Sequence, residues 1–164
     1  MDRLLGSAWR FVAEVLPPGE LPLLAAHALV EGRDSPALRE LAGLSRRGDE
    51  AEIRELYVLA LGELGIALPD EDTAGRCLLV SLAFGLVNGE LGPGDVGHGL
   101  SMTVAARTRE ETRFLAVAAD FSEWLGSEEL PGWETELRSA AQSLVAATDI
   151  GSSIGACRGR LPAD

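Results

Sequence analysis

Apolar residues recur with the helical period along almost the whole chain. Residues 4–16 place Leu5, Trp9, Val12 and Leu16 on one stripe, and Pro17 to Gly19 end it. Further helical patterns cover residues 20–31, 36–43, 49–64, 70–87, 108–124 and 132–147, with a short glycine-interrupted segment after Pro93. We find no stretch with strand alternation. The pattern predicts an all-α helical bundle of about seven to eight helices.

The run from Cys77 to Val87 is apolar on all sides, which predicts a central helix wrapped by the others. Cys77, Ser81 and Gly85 are spaced by four, so they form a narrow ridge that lets a neighbouring helix approach closely. We expect residues 1–147 to form one helical bundle domain. Residues 148–164 are rich in turn residues, and we expect a flexible C-terminal tail there.

A short motif occurs twice, as LVEGRDSP at residues 29–36 and LVNGELGP at residues 86–93. Each copy predicts a helix, a left-handed glycine that ends it, and a new helix that begins at proline. Two interpretations remain open. Either the chain holds two related αα-hairpins around a pseudo-two-fold axis, or the same capping chemistry arose twice.

The chain is acidic, with 26 acidic and 14 basic residues among 164, a formal net charge of -12. Every basic residue is Arg, and the negative charge is spread evenly along the chain. Such a field repels nucleic-acid phosphates, so we expect no nucleic-acid partner. A negative surface favours solubility, and it favours a basic protein partner.

Two cysteines, Cys77 and Cys157, are too few for a disulfide framework, and reduced thiols are the default expectation. The N-terminal segment lacks a secretory pattern, and the longest apolar run is too short to span a bilayer. The sequence therefore predicts a cytoplasmic protein without a membrane segment.

The chain offers little catalytic equipment. Lysine is absent, which excludes Schiff-base and lysine-dependent P-loop chemistry, and the common hydrolase, zinc-protease and redox motifs are missing. Asp95 and His98, with Glu90 nearby, form the best acid–histidine cluster, although a helix cap and a loop histidine would look the same. His27 and Glu31 supply two ligands where zinc needs three or four. We therefore assign no catalytic residue, metal or cofactor.

Two tryptophans, Trp124 and Trp133, flank an acidic loop that contains Glu128 and Glu129. Tryptophan beside a charged rim is typical of interaction hot spots, whereas core packing is the more common use of the residue. These four residues are the candidates for partner binding.

The block ELPLLAAHALVEGRDSPALRELAGL, and more faintly LVNGELGPGD, resembles a family of small acidic all-helical proteins of high-GC actinobacteria. The resemblance covers residues 17–44 best and residues 70–135 weakly. It implies a helical fold. It brings no known activity and no site residue.

Three functions follow as hypotheses. The leading one is a non-enzymatic protein–protein interaction or regulatory factor, immunity-like, with an acidic surface. The alternative is a helical protein that binds a small apolar ligand between the central helix and its neighbours. The second alternative is a hydrolase-type enzyme that uses Asp95 and His98. Homodimerisation is compatible with each.

Overall fold

A computed structural model describes residues 3–100, 104–120 and 128–149, and this part of the chain is all-α, as predicted. It contains eight α-helices, one 3-10 turn and no strand. The helices are α1 (Arg3–Val12), α2 (Leu21–Val30), α3 (Pro36–Gly43), α4 (Glu50–Glu63), α5 (Glu71–Val87), α6 (Pro93–Gly99), α7 (Arg109–Ala119) and α8 (Leu130–Asp149), and the 3-10 turn is Pro18–Glu20. No helix within these ranges is long and apolar enough to cross a membrane.

The chain divides into two compact units, an N-terminal unit, Met1–Glu71, and a C-terminal unit, Asp72–Asp164. In the N-terminal unit, α3 packs between α2 and α4, and α1 packs on α2. In the C-terminal unit, α7 packs along α8, and α6 contacts both. The tail predicted at residues 148–164 lies outside the described residues from position 150 onward.

The apolar run in α5 is buried, as predicted. Between Cys77 and Leu86 every residue except the half-buried Phe84 is buried, whereas Val87 at the end of the helix is exposed. The predicted ridge of small residues has a clear use at Gly85, because a Cβ atom there would lie 2.7 Å from Leu91. A Cβ atom at that distance would force the Leu91 side chain to move, so the glycine lets the connection between α5 and α6, and not a neighbouring helix, pack closely on α5.

Cys77 is disulfide-bonded, so the expectation of a free thiol at this position was wrong. A count of two cysteines cannot distinguish two thiols from one bridge. The other cysteine, Cys157, lies outside the described residues.

Three helices end in the same way, with a glycine in the left-handed conformation. Gly32 after α2, Gly65 after α4 and Gly89 after α5 have φ values of 87°, 70° and 74°. In each case the next amide donates to the carbonyl five residues earlier, at 2.8 to 2.9 Å: Arg33 to Ala28, Ile66 to Leu61 and Glu90 to Gly85. These are Schellman motifs. The caps predicted at Gly32 and Gly89 are confirmed, and the two copies of the motif lie in different units.

Polar caps begin three of the helices. Ser35 Oγ accepts from the amide of Leu38 at 3.2 Å, as its position before Pro36 predicts. The spacing of Thr108 and Glu111 in the sequence predicts a capping box, and the two residues bond reciprocally, which confirms it. The spacing of Asp49 and Glu52 also predicts a capping box; Asp49 does cap α4, but it accepts from the amide of Ala51 at 2.9 Å, one residue earlier than a capping box requires.

The buried face of α1 differs in part from the predicted stripe. Trp9 and Leu16 are buried as predicted and Val12 is half-buried, but Leu5 is exposed, and Leu4, Ser7 and Arg10 are buried in addition. Leu4 and Leu5 are adjacent, so the sequence allows two apolar stripes that are rotated by about 100° from each other. The helix uses the stripe that places Ser7 inside.

Glu14 ends α1 at the position that glycine takes in the other three helices. Its φ is 57°, and the amide of Val15 donates to the carbonyl of Arg10 at 3.0 Å. A side chain in the left-handed region crowds the following carbonyl, at a cost of roughly 1 kcal/mol. The end of α1 is therefore strained where the ends of α2, α4 and α5 are not.

Replacing Glu14 by Gly should raise the free energy of unfolding by about 1 kcal/mol, because glycine adopts this φ without strain. Urea denaturation followed by circular dichroism at 222 nm measures the change. The matched control is Gly32→Glu, where a Cβ would meet no atom within 4 Å. That substitution should lower the stability by a similar amount, and an unchanged or less stable Glu14→Gly protein would contradict the assignment of strain.

Candidate functional sites

The predicted acid–histidine cluster lies in and beside α6, where its side chains hydrogen-bond to the local backbone. Asp95 Oδ2 accepts from the amide of Gly92 at 2.7 Å, which caps the helix. His98 Nδ1 lies 2.7 Å from the carbonyl of Gly94 and donates to it. Both side chains, and that of Glu90, are exposed. Within the described ranges no group of three His, Cys, Asp or Glu residues is arranged to hold a metal ion.

Of the four partner-binding candidates, Trp133 lies in the core of the C-terminal unit. It is buried between α7 and α8, and its indole Nε1 donates to the carbonyl of Val117 at 2.8 Å. Its indole Nε1 is thus hydrogen-bonded inside the unit, as in a tryptophan that packs in a core, and the ring is not presented at the surface. Glu128 and Glu129 are exposed, and Trp124 lies outside the described residues.

An ionic network in the C-terminal unit was not predicted. Glu111, of which 2% is exposed, accepts from Arg76 Nε at 2.9 Å and Nη2 at 2.8 Å through Oε1. Its Oε2 accepts from the amides of Arg107 at 2.7 Å and Thr108 at 3.1 Å. Burial alone would raise the pKa of this carboxyl, but the hydrogen bonds from Arg76 and the two amides outweigh it, and the pKa lies below its ordinary value.

This network joins α5 to the start of α7, and its role is structural. Both oxygens of Glu111 are fully used by four donors, so the carboxylate has no free lone pair directed at a ligand. Thr108 and Glu111 reveal the capping box in the sequence, but nothing local indicates that Arg76, 35 residues earlier, would reach it.

A second buried polar cluster lies between α1 and α4 in the N-terminal unit. The Ser7 hydroxyl donates to the carbonyl of Leu4 at 2.6 Å, so the Tyr57 hydroxyl, also 2.6 Å away, must be the donor to Ser7. The Tyr57 ring packs against Phe11 with ring centroids 4.8 Å apart. Burial raises the pKa of Tyr57 to about 12, although the hydrogen bond with Ser7 and the positive charge of Arg10 lower it.

Arg10, in the last turn of α1, is the exceptional group of this cluster. Only 9% of the residue is exposed, and its Nε and Nη2 atoms have no hydrogen-bond partner in the part of the chain that is described. Burial lowers the pKa of the guanidinium, while the charges of Glu20 and Tyr57 raise it. Guanidinium remains protonated in proteins, so Arg10 can bind an anion but cannot act as a general base.

Sequence reasoning missed Arg10 because the predicted stripe of α1 placed it on the solvent side. The signal that could have found it is the pair Ser7 and Arg10, three residues apart in an otherwise apolar helix. Two polar residues on one helical face can mark a buried polar cluster as well as a solvated face.

Comparisons with protein-family models, with curated proteins and with solved structures give no match for this chain.

Replacing Glu111 by Gln should lower the free energy of unfolding at neutral pH by about 2 kcal/mol, because the half-buried Arg76 then loses its counter-charge. The folded-state pKa of Glu111 is depressed. Its contribution is therefore fully present above the unfolded pKa near 4.3 and is lost as the pH falls through the folded pKa. The variant should accordingly lose less stability than the wild type on acidification.

Urea denaturation between neutral pH and about pH 3 tests this dependence. The matched control is Asp72→Asn, the same change in a largely exposed ion pair with Arg107, which should cost less than about 1 kcal/mol. If Glu111→Gln and Asp72→Asn lose the same free energy of unfolding, burial of the ion pair does not set its contribution to stability.

Replacing Tyr57 by Phe should cost about 1 kcal/mol at neutral pH, because one buried hydrogen bond is lost. The stability that the raised pKa confers is present below pH 10 and is lost as the pH rises toward about 12. The wild type should therefore unfold in this alkaline range, and Tyr57→Phe should be less sensitive to it.

The chain has one Tyr and no Lys, so tyrosinate absorbance at 295 nm reports on this group alone. A tyrosinate transition centred near pH 10 in the folded protein would contradict the burial argument.

Proposed function

We propose that this protein is a non-enzymatic interaction factor, of an immunity-like or regulatory kind, that binds a basic amphipathic helix of a partner protein. The proposed binding surface is the outward face of α4. The observation that supports it is the combination, on this face, of exposed apolar side chains with carboxylates one turn away.

The inward and the outward face of α4 both carry apolar side chains. The inward face is formed by residues of the core of the N-terminal unit: Ile53, Tyr57, Ala60 and Leu61. On the outward face, Val58 and Leu59 keep 43% and 54% of their surface exposed. Because the core already uses the opposite side of the helix, folding of this unit does not explain these two side chains.

On the outward face of α4, carboxylates lie on one side of Val58 and Leu59 and a glycine lies on the other. Glu52 and Glu55 lie on the same face toward the N-terminus of α4, and both are exposed. Gly62 lies one turn beyond Val58 and Leu59, and a Cβ atom there would meet nothing within 4 Å. A partner helix could therefore approach the backbone closely at Gly62 while it reaches the carboxylates with basic side chains.

The expected energetics follow from these groups. Burying the exposed part of a Val or Leu side chain contributes roughly 1 kcal/mol, so Val58 and Leu59 together supply a modest share of the binding free energy. The carboxylates form a charged rim, which accelerates association with a basic partner and adds to the field of a chain whose net charge is -12. Asp95 caps α6 and His98 bonds to the carbonyl of Gly94.

Affinity capture from an extract of the native cell, with the full chain as bait, tests this proposal. Leu59→Ser should weaken retention of the partner about tenfold, because the substitution removes buried apolar surface from the interface. The matched control is Leu23→Ser on α2, where 44% of the leucine is exposed in the same unit, and this variant should retain the partner. Glu52→Gln and Glu55→Gln should weaken retention at low salt more than at high salt.

The proposal requires a specific, basic partner whose retention is weakened by Leu59→Ser and unchanged by Leu23→Ser. Capture of no specific protein, or equal behaviour of Leu59→Ser and Leu23→Ser, would refute it. Light scattering decides a further outcome: if the wild type is a dimer that Leu59→Ser dissociates, the face binds a second copy of the chain and the basic partner is wrong.

A further inference from the structure

The guanidinium of Arg10 is buried in the N-terminal unit with part of its hydrogen-bonding capacity unused. Nε and Nη2 each carry a hydrogen that meets no acceptor within the described residues. A buried charge without a partner is costly, and native structures seldom retain one unless it binds something. Arg10 therefore differs from an ordinary core residue.

The two unused donors lie on the same edge of the guanidinium. Nε–H and Nη2–H point in parallel, which is the geometry that binds two oxygens of one carboxylate or phosphate. The chain uses this edge elsewhere. Arg39 donates to the two oxygens of Asp34 through Nε, at 2.7 Å, and through Nη2. Arg76 donates through the same two atoms to one oxygen of Glu111. Arg10 presents the same fork without the acid.

The neighbouring groups do not fill this position. Tyr57 is neutral below pH 10, and its hydroxyl hydrogen is already donated to Ser7. Glu20 lies in the 3-10 turn close enough to influence Arg10 electrostatically, but its carboxylate accepts from neither of the two donors. Neither neighbour therefore supplies an acceptor for the two donors of the fork.

We propose that Arg10 anchors a binding site for a small oxyanion that presents two oxygens, a carboxylate or a phosphate. Arg10 provides the charge and the bidentate edge. Tyr57, held by its hydrogen bond to Ser7, and Glu20 both lie close enough to Arg10 to act on it electrostatically, and the negative charge of Glu20 weakens the binding of an anion there. The site uses different residues from the outward face of α4, so it is tested separately from the proposed function.

Thermal unfolding of the full chain in sodium phosphate, in sodium acetate and in sodium chloride of matched ionic strength tests the site. The wild type should gain about 5 °C in phosphate or acetate over chloride once the anion is well above its dissociation constant. Arg10→Met keeps the length of the side chain and removes the fork, so this gain should disappear. The control Arg39→Met, which changes an arginine that is already paired, should retain it.

The Arg10 Nε–H signal of the wild type, followed by NMR while phosphate or acetate is added, gives a second measurement. It does not require that a variant folds. The signal should shift saturably with phosphate or acetate, and the relative affinity shows which of the two oxyanions the site prefers. Glu20→Gln should tighten binding about threefold, because a neighbouring negative charge is removed.

Three results would overturn the proposal. One is an equal anion-dependent gain in the wild type and in Arg10→Met. Another is an Nε–H signal that neither anion moves. The third is a Glu20→Gln protein that is less stable than the wild type and shows no anion response, since Glu20 would then be the partner of Arg10 in solution.

Discussion

The unpaired carbonyl groups at helix ends govern where this chain turns. The last four carbonyls of a helix have no partner within it, and a left-handed residue lets the following amides reach them. In both units the chain uses this solution, with glycine after α2, α4 and α5. At the end of α5 the carbonyl of Gly85 accepts from both Glu90 and Leu91 at 2.8 and 3.0 Å. The same hydrogen bonds place the Leu91 side chain against Gly85. The bonds that end α5 therefore also pack the following residues against it.

Buried polar groups separate what is structural from what is available for binding. Glu111 has four donors for its two oxygens, and Ser7 and Tyr57 satisfy one another and the backbone. Each of these arrangements is complete, so it stabilises the unit and has no capacity for a ligand. Two adjacent groups of α1 differ among the described residues, because the indole Nε1 of Trp9 and the fork of Arg10 are buried without a hydrogen-bond partner, and of these only Arg10 carries a charge. An incomplete polar group among complete ones is a better indication of a site than acidity or a histidine alone.

Most of the fold follows from local patterns, and most of the candidate sites do not. The helical period locates the helices, and the caps at Gly32 and Thr108 follow from rules that involve only a few neighbouring residues. The predicted stripe of α1 was right at Trp9 and Leu16 and wrong at Leu5, because the adjacent residues Leu4 and Leu5 permit two stripes. The Arg76–Glu111 pair and the contact of Trp133 with Val117 depend on helices that meet only after folding, and periodicity carries no information about such long-range pairs.

The two proposed binding events differ in the origin of their affinity. A basic partner at the outward face of α4 is attracted by the whole chain, whose net charge is -12, before any contact forms. The same field repels an oxyanion, so binding at Arg10 must derive from short-range terms: the bidentate fork and the low dielectric around a buried guanidinium. Salt screens the long-range field in both cases. Added chloride should therefore weaken the partner at α4, whereas at Arg10 it removes a repulsion and leaves the short-range bonds in place. This opposite response distinguishes a surface that depends on net charge from a site that depends on one buried residue.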